Sequence, residues 1–100
     1  MMKPLLTLAL VLAGAAPALA GPIDSACLQA GRDSASRALC TCIQQVADST
    51  LSRADQRRAA AFFKDPEKAQ QVRLSDRAAD EDFWARYKGF AEAAEAYCAP

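Results

Sequence analysis

The sequence predicts an all-α fold: a small bundle of about four helices, stapled by disulfides and following a cleaved signal peptide. Three observations lead there. Apolar residues recur at spacings of three and four rather than two, and alanine, the strongest helix former, is spread along the chain. No run of β-branched or aromatic residues alternates with polar ones, so no strand is expected. Four cysteines in so short a chain, behind an export leader, read as a disulfide framework.

The leader is the first element. "MMKPLLTLALVLAGAAPALA" has a basic start at Lys3, an apolar run from Leu5 to Ala16, and Ala18-Leu19-Ala20 as a small-residue cleavage site before Gly21. The run is shorter than the roughly 20 residues that a bilayer span needs. Residues 1–20 are therefore expected to be removed, leaving residues 21–100 as one helical domain in the periplasm or outside the cell, without a membrane span. No cysteine follows the cleavage site, so a lipid anchor there is not expected. Lys3 leaves with the leader, and 11 basic residues then face 12 acidic ones. That balance does not suggest nucleic acid or an anionic membrane as a partner. An 80-residue remainder is near the size at which a hydrophobic core alone gives only roughly 3–5 kcal/mol.

The helical elements follow in order. "GPIDSACLQAGRDS" reads as a short helix or loop, with Asp24 or Ser25 as cap and Gly31 as stop. Asp33 or Ser34 is expected to cap a helix from about 35 to Thr50, with Leu39, Ile43, Val46 and Thr50 along one face. Ser52 and Asp55 form a variant capping box for a helix to about Lys64, carrying Ala54, Arg58, Ala61 and Phe62. Asp65 then caps and Pro66 opens a short helix presenting Ala69 and Val72, with Leu74 packing where it stops. The last helix has the strongest pattern, Phe83, Tyr87, Phe90, Ala94 and Tyr97/Cys98, and starts near Ser75, Asp76 or Asp80. The expected core is Leu39, Ile43, Val46, Phe62, Val72, Phe83, Tyr87 and Phe90.

Cys27, Cys40, Cys42 and Cys98 carry the chemistry that spacing can address. Cys40 and Cys42 project about 200° apart around one helix, so neither reaches the other, and each needs its own partner. Two pairings remain: Cys27–Cys40 with Cys42–Cys98, or Cys27–Cys42 with Cys40–Cys98. A thiol–disulfide exchange couple at Cys40/Cys42 is the alternative, but no thioredoxin-like βαβ pattern surrounds it. A four-thiolate metal site fits neither the ligand spacing nor an oxidising compartment. No cofactor is expected. With no histidine and the thiols oxidised, no general base of the usual kind exists, so the chain does not read as an enzyme.

The expected function is a non-catalytic module that binds another protein. The surface positions singled out for it are Trp84, Asp76, Asp80, Arg57 and Arg58. Each has a plainer reading: acids at a helix N-terminus complement its dipole, arginines solvate a helix face, and Trp84 widens the core. A small accessory binder of a cationic ligand such as arginine is a further alternative.

From "CTCIQQVAD" through "LSRADQRRAAAFFKDPEKAQQVRLSDRAADEDFWARYKGF" to the final "YC", the chain resembles a group of short exported bacterial proteins often labelled automatically as "arginine transporter". The resemblance implies an exported helical domain and supplies no site residue. Its label fits the physics badly, because 80 residues without a span form no transport path.

Overall fold

The computed structural model describes residues 21–30 and 36–99. The expected leader at 1–20, the Gly31 stop and the caps at Asp33 or Ser34 lie outside the described residues. Five helices follow one another: α1 Pro22–Gln29, α2 Arg37–Thr50, α3 Arg53–Lys64, α4 Pro66–Arg73 and α5 Ala78–Cys98. No strand occurs among the described residues. The count exceeds the expected four because "PIDSACLQ" closes into a full helix rather than a loop.

Local chemistry accounts for most boundaries. Ser36 Oγ accepts from the Leu39 N–H and starts α2; Ser52 Oγ accepts from the Asp55 N–H and starts α3. Asp65 accepts from the Glu67 N–H ahead of Pro66, whose missing N–H costs nothing at the first helical position. The start of α5 departs from expectation. Its cap residue is Arg77, with no side-chain cap bond, while Ser75 Oγ accepts from the Arg77 N–H in the preceding turn. Asp80 is then already inside the first helical turn.

Helix α2 lies along α5 and α1 packs on both α2 and α3; α4 bridges α3 and α5. Between them sits one cluster built from Ile23, Val46, Ala47, Leu51, Ala59, Phe62, Phe83 and Phe90. Phe62 meets Phe83 edge-on at 6.0 Å and Tyr87 at 5.1 Å, geometries that favour aromatic pairs. On α5, Phe83 and Phe90 are buried and Tyr87, Ala94 and Cys98 pack against the core as the spacing predicts, whereas Tyr97 is 79% exposed. The α2 stripe is met in part: Val46 is buried and Leu39 and Ile43 are half-buried, but Thr50 is exposed, and Cys40, Gln44 and Ala47, one residue on from Leu39, Ile43 and Val46, are buried as well. Helix α2 is gripped on two sides. Its Leu39/Ile43 edge faces α5 across a groove, and the Cys40/Gln44 edge turns to α1. On α3 the buried line is Gln56, Ala59 and Phe62, and Ala54 and Arg58 are exposed. Leu74, expected to pack, is 72% exposed.

Both bridges are formed. Cys27 bonds Cys40 and Cys42 bonds Cys98, closing separations of 13 and 56 residues. Of the two pairings open to the sequence, this is the one in which the loops meet end to end without overlapping. The Cys27–Cys40 bridge is buried; Cys42 and Cys98 are partly exposed.

Candidate functional site

The five singled-out surface residues do not form one site. Asp80 and Arg58 come together where α3, α4 and α5 meet. Ser75 donates its hydroxyl to Asp80 Oδ2 at 2.6 Å, and the Arg58 guanidinium donates to Asp80 Oδ1. The same guanidinium lies 4.4 Å from the centroid of the Phe83 ring, a cation–π contact that fixes its plane. Asp80 is held below the usual carboxylate range, first by the Ser75 hydroxyl and then by Arg58. Arg58, Gln71, Val72, Ser75, Arg77 and Asp80 line an open depression of about 630 Å³ here. Each oxygen of its one carboxylate already accepts a bond, one of them from a cation, so a guanidinium ligand would compete with Arg58 for the same charge.

Arg57 is one residue before Arg58 and about 100° round the helix, and it faces elsewhere. It lines a second depression with Pro22, Ser25, Gln29 and Lys64, between α1 and α3. Asp76 is exposed in the turn before α5. Trp84 stacks on Tyr87 at 5.1 Å and lies 6.4 Å from Phe62, which makes it the half-buried margin of the aromatic core. Burial pushes the Tyr87 phenol above the ordinary tyrosine range. A second ion pair, not anticipated, runs from Arg86 on α5 to Asp55 on α3, with Nε–Oδ2 at 2.6 Å and a second bond at 3.2 Å. Its fork geometry raises the Arg86 pKa further. The two pairs tie α3 to α5 in opposite senses, with the base on α3 in one and on α5 in the other.

The polar residues missed by sequence reading lie at the other end. Gln44 and Gln56 are buried on facing helices. Gln44 Nε2 donates to Gln56 Oε1 at 2.7 Å and to Asp48 Oδ1 at 2.8 Å; its Oε1 accepts from the Asp24 N–H at 2.8 Å. Gln56 Nε2 reaches the Ala47 and Leu51 carbonyls and Asp48. This network caps α1 from a different helix, since the cap residue Gly21 has no side chain to do so. A Cβ on Gly21 would lie 2.5 Å from the Gln44 amide, which its bonds hold in place. The only signal in the sequence was the four-residue step from Cys40 to Gln44, which puts a glutamine on the cysteine's face.

Among the described residues, no three His, Cys, Asp or Glu side chains gather where a metal ion could be held. None of the described helices is long and apolar enough to cross a membrane. No family model, curated protein or solved structure matches the chain.

Proposed function

We propose that the chain is an exported, non-catalytic helical module that binds another protein, with residues 1–20 removed as a signal peptide and the remainder stapled outside the reducing cytoplasm. The observation that carries this reading is the commitment of both Cys-x-Cys thiols to separate bridges, one to each end of the helical region. Bridges of this kind persist in oxidising compartments. Two of the charged side chains that first suggested a site, Arg58 and Asp80, are paired with each other at the α3–α5 seam, which supports a structural role for that pair. What remains for recognition is helix surface, including the apolar groove lined by Leu39, Ile43, Ala91 and Ala94.

The intact mass of the exported protein, with and without an alkylating reagent, tests the reading. A chain beginning at Gly21, lighter by four hydrogens for its two bridges and refusing alkylation, is expected. Alkylation of Cys40 or Cys42 would refute the staple. Thiol–disulfide exchange is read separately by incubation with a scrambled disulfide substrate. No acceleration of its reshuffling is expected; acceleration would move the function to Cys42–Cys98, the more exposed bridge.

A further inference from the structure

The start of α1 holds a buried carboxylate that nothing completes. Asp24 is 7% exposed, and its Oδ1 has no hydrogen-bond partner among the described residues. A buried carboxylate oxygen in that state is costly, and a cation or donor beside it removes the cost. Asp24 is the third residue of α1 and Gly21 is its cap. In a capping box, the side chain at the third helical position reaches back to the backbone nitrogen of the cap residue. Here the cap residue is also the residue that follows the Ala18-Leu19-Ala20 cleavage site.

We propose that the α-ammonium group released at Gly21 by leader cleavage is the missing partner of Asp24, and that the fold is completed only by that cleavage. The inference rests on the export reading above. Hydrolysis of the Ala20–Gly21 amide by a signal-peptidase-class enzyme consumes one water. The water's oxygen stays on the Ala20 carboxylate, and the Gly21 nitrogen takes up protons to become an ammonium. Before cleavage that nitrogen is an amide with one N–H and no charge. Afterwards it has three donors and a positive charge near neutral pH. The new charge sits within a turn of Asp24, in a buried setting where an ion pair is weakly screened. It works against the α1 dipole, which favours anions at this end, so Asp24 must be there to hold it.

Gln44 secures the same geometry. Its Oε1 takes the Asp24 N–H, leaving the carboxylate for the cap nitrogen, and its amide occupies the space that any Cβ at position 21 would need. Glycine is thus required at the cap for a steric reason that coincides with the processing point. The unprocessed chain lacks one stabilising contact until it has crossed the membrane.

The test is a thermal unfolding cycle on four proteins: the full chain recovered with its leader after oxidative refolding, the processed chain recovered after export, and D24N in each form. Processing is expected to raise the parent's Tm by roughly 4–8 °C, the shift that an interaction of ordinary size produces in a domain of 60–100 residues. In D24N, processing should leave Tm nearly unchanged. Equal gains in both backgrounds, or no gain in the parent, would overturn the pairing. Acylation of the Gly21 amine, followed by mass spectrometry, needs no variant. It should run at least about tenfold slower in the folded than in the urea-unfolded processed chain, because only locally opened molecules react. Equal rates would also overturn the proposal. Intact mass separates the two levels: an exported chain that starts elsewhere than Gly21 refutes the leader reading, whereas a Gly21 start with a flat cycle refutes only the Asp24 contact.

Discussion

Replacing Cys42 and Cys98 by alanine opens the longer of the two loops and gives the sharpest quantitative expectation. The bridge spans 56 residues. The chain-entropy relation then gives about −14 cal/mol/K, or about 4 kcal/mol at 25 °C, against about 3 kcal/mol for the 13-residue Cys27–Cys40 separation. The loops do not overlap, so the two costs are expected to be close to additive. Cys42 and Cys98 are partly exposed, so alanine there removes little packing, and the loss is concentrated in the unfolded state. A domain of this size has about 4–12 kcal/mol in all. The double variant should therefore lose about a third or more of its stability. Urea unfolding followed by circular dichroism is the assay, and it carries an internal check. A freed unfolded chain exposes more surface, so the m value must rise as the midpoint falls. A variant that loses under about 1 kcal/mol with an unaltered m value would refute the unfolded-state reasoning, since the entropy model does not allow so small an effect for a loop of this length.

Three further outcomes are expected. Gln44→Ala should cost about 1–3 kcal/mol in urea unfolding, because it strips the cap from the Asp24 N–H and leaves the Gln56 amide short of a partner; parent-like stability would dismiss the buried network as incidental. Ser75→Ala should raise the Asp80 pKa, measured by NMR titration, more than Arg58→Ala does. Because folding lowers that pKa, its contribution is present above the ordinary carboxylate range and is lost as pH falls through the folded value, so the reverse order would show that the hydroxyl is not the main holder of the charge. Tyr87→Phe should flatten the alkaline limb of the stability curve. The raised phenol pKa means stability is intact below about 10, the ordinary tyrosine value, and falls as pH climbs towards the folded value; an unchanged limb in the variant would place Tyr87 outside the effect.

Where sequence and structure agree, the signal was local. The Ser52 cap, Asp65 with Pro66, and the Phe83–Tyr87–Phe90 stripe all act within one or two turns and are found as read, while the Asp55 carboxylate, expected to close a capping box, turns to Arg86 instead. The two-sided burial of α2 was not legible, because hydropathy marks Leu39 and Ile43 but cannot mark Gln44. A glutamine becomes a core residue only when partners from 12 and 20 residues away satisfy it. Ile23 escaped for a related reason. A single isoleucine in an eight-residue helix has no periodicity of its own, yet it is fully buried by what α2 and α3 bring to it. The sequence did not say which of the surface candidates share a face, because that depends on how the helices pack. Arg57 and Arg58 are neighbours in the chain, yet one lines the α1–α3 depression and the other the α3–α5 seam.

The bridges at Cys40 and Cys42 also settle how the described helices carry a pull applied between Gly21 and Ala99. Tension entering at Gly21 passes along α1 to Cys27, crosses to Cys40, runs through Thr41 to Cys42 and leaves by Cys98. That covalent route includes residues 21–27, 40–42 and 98–99, roughly 40 Å of extended chain. Helices α3 and α4 lie off it altogether. Stretching the oxidised protein would straighten a short tether and leave most of the bundle unloaded, whereas reduction would send the same force through every helix in turn.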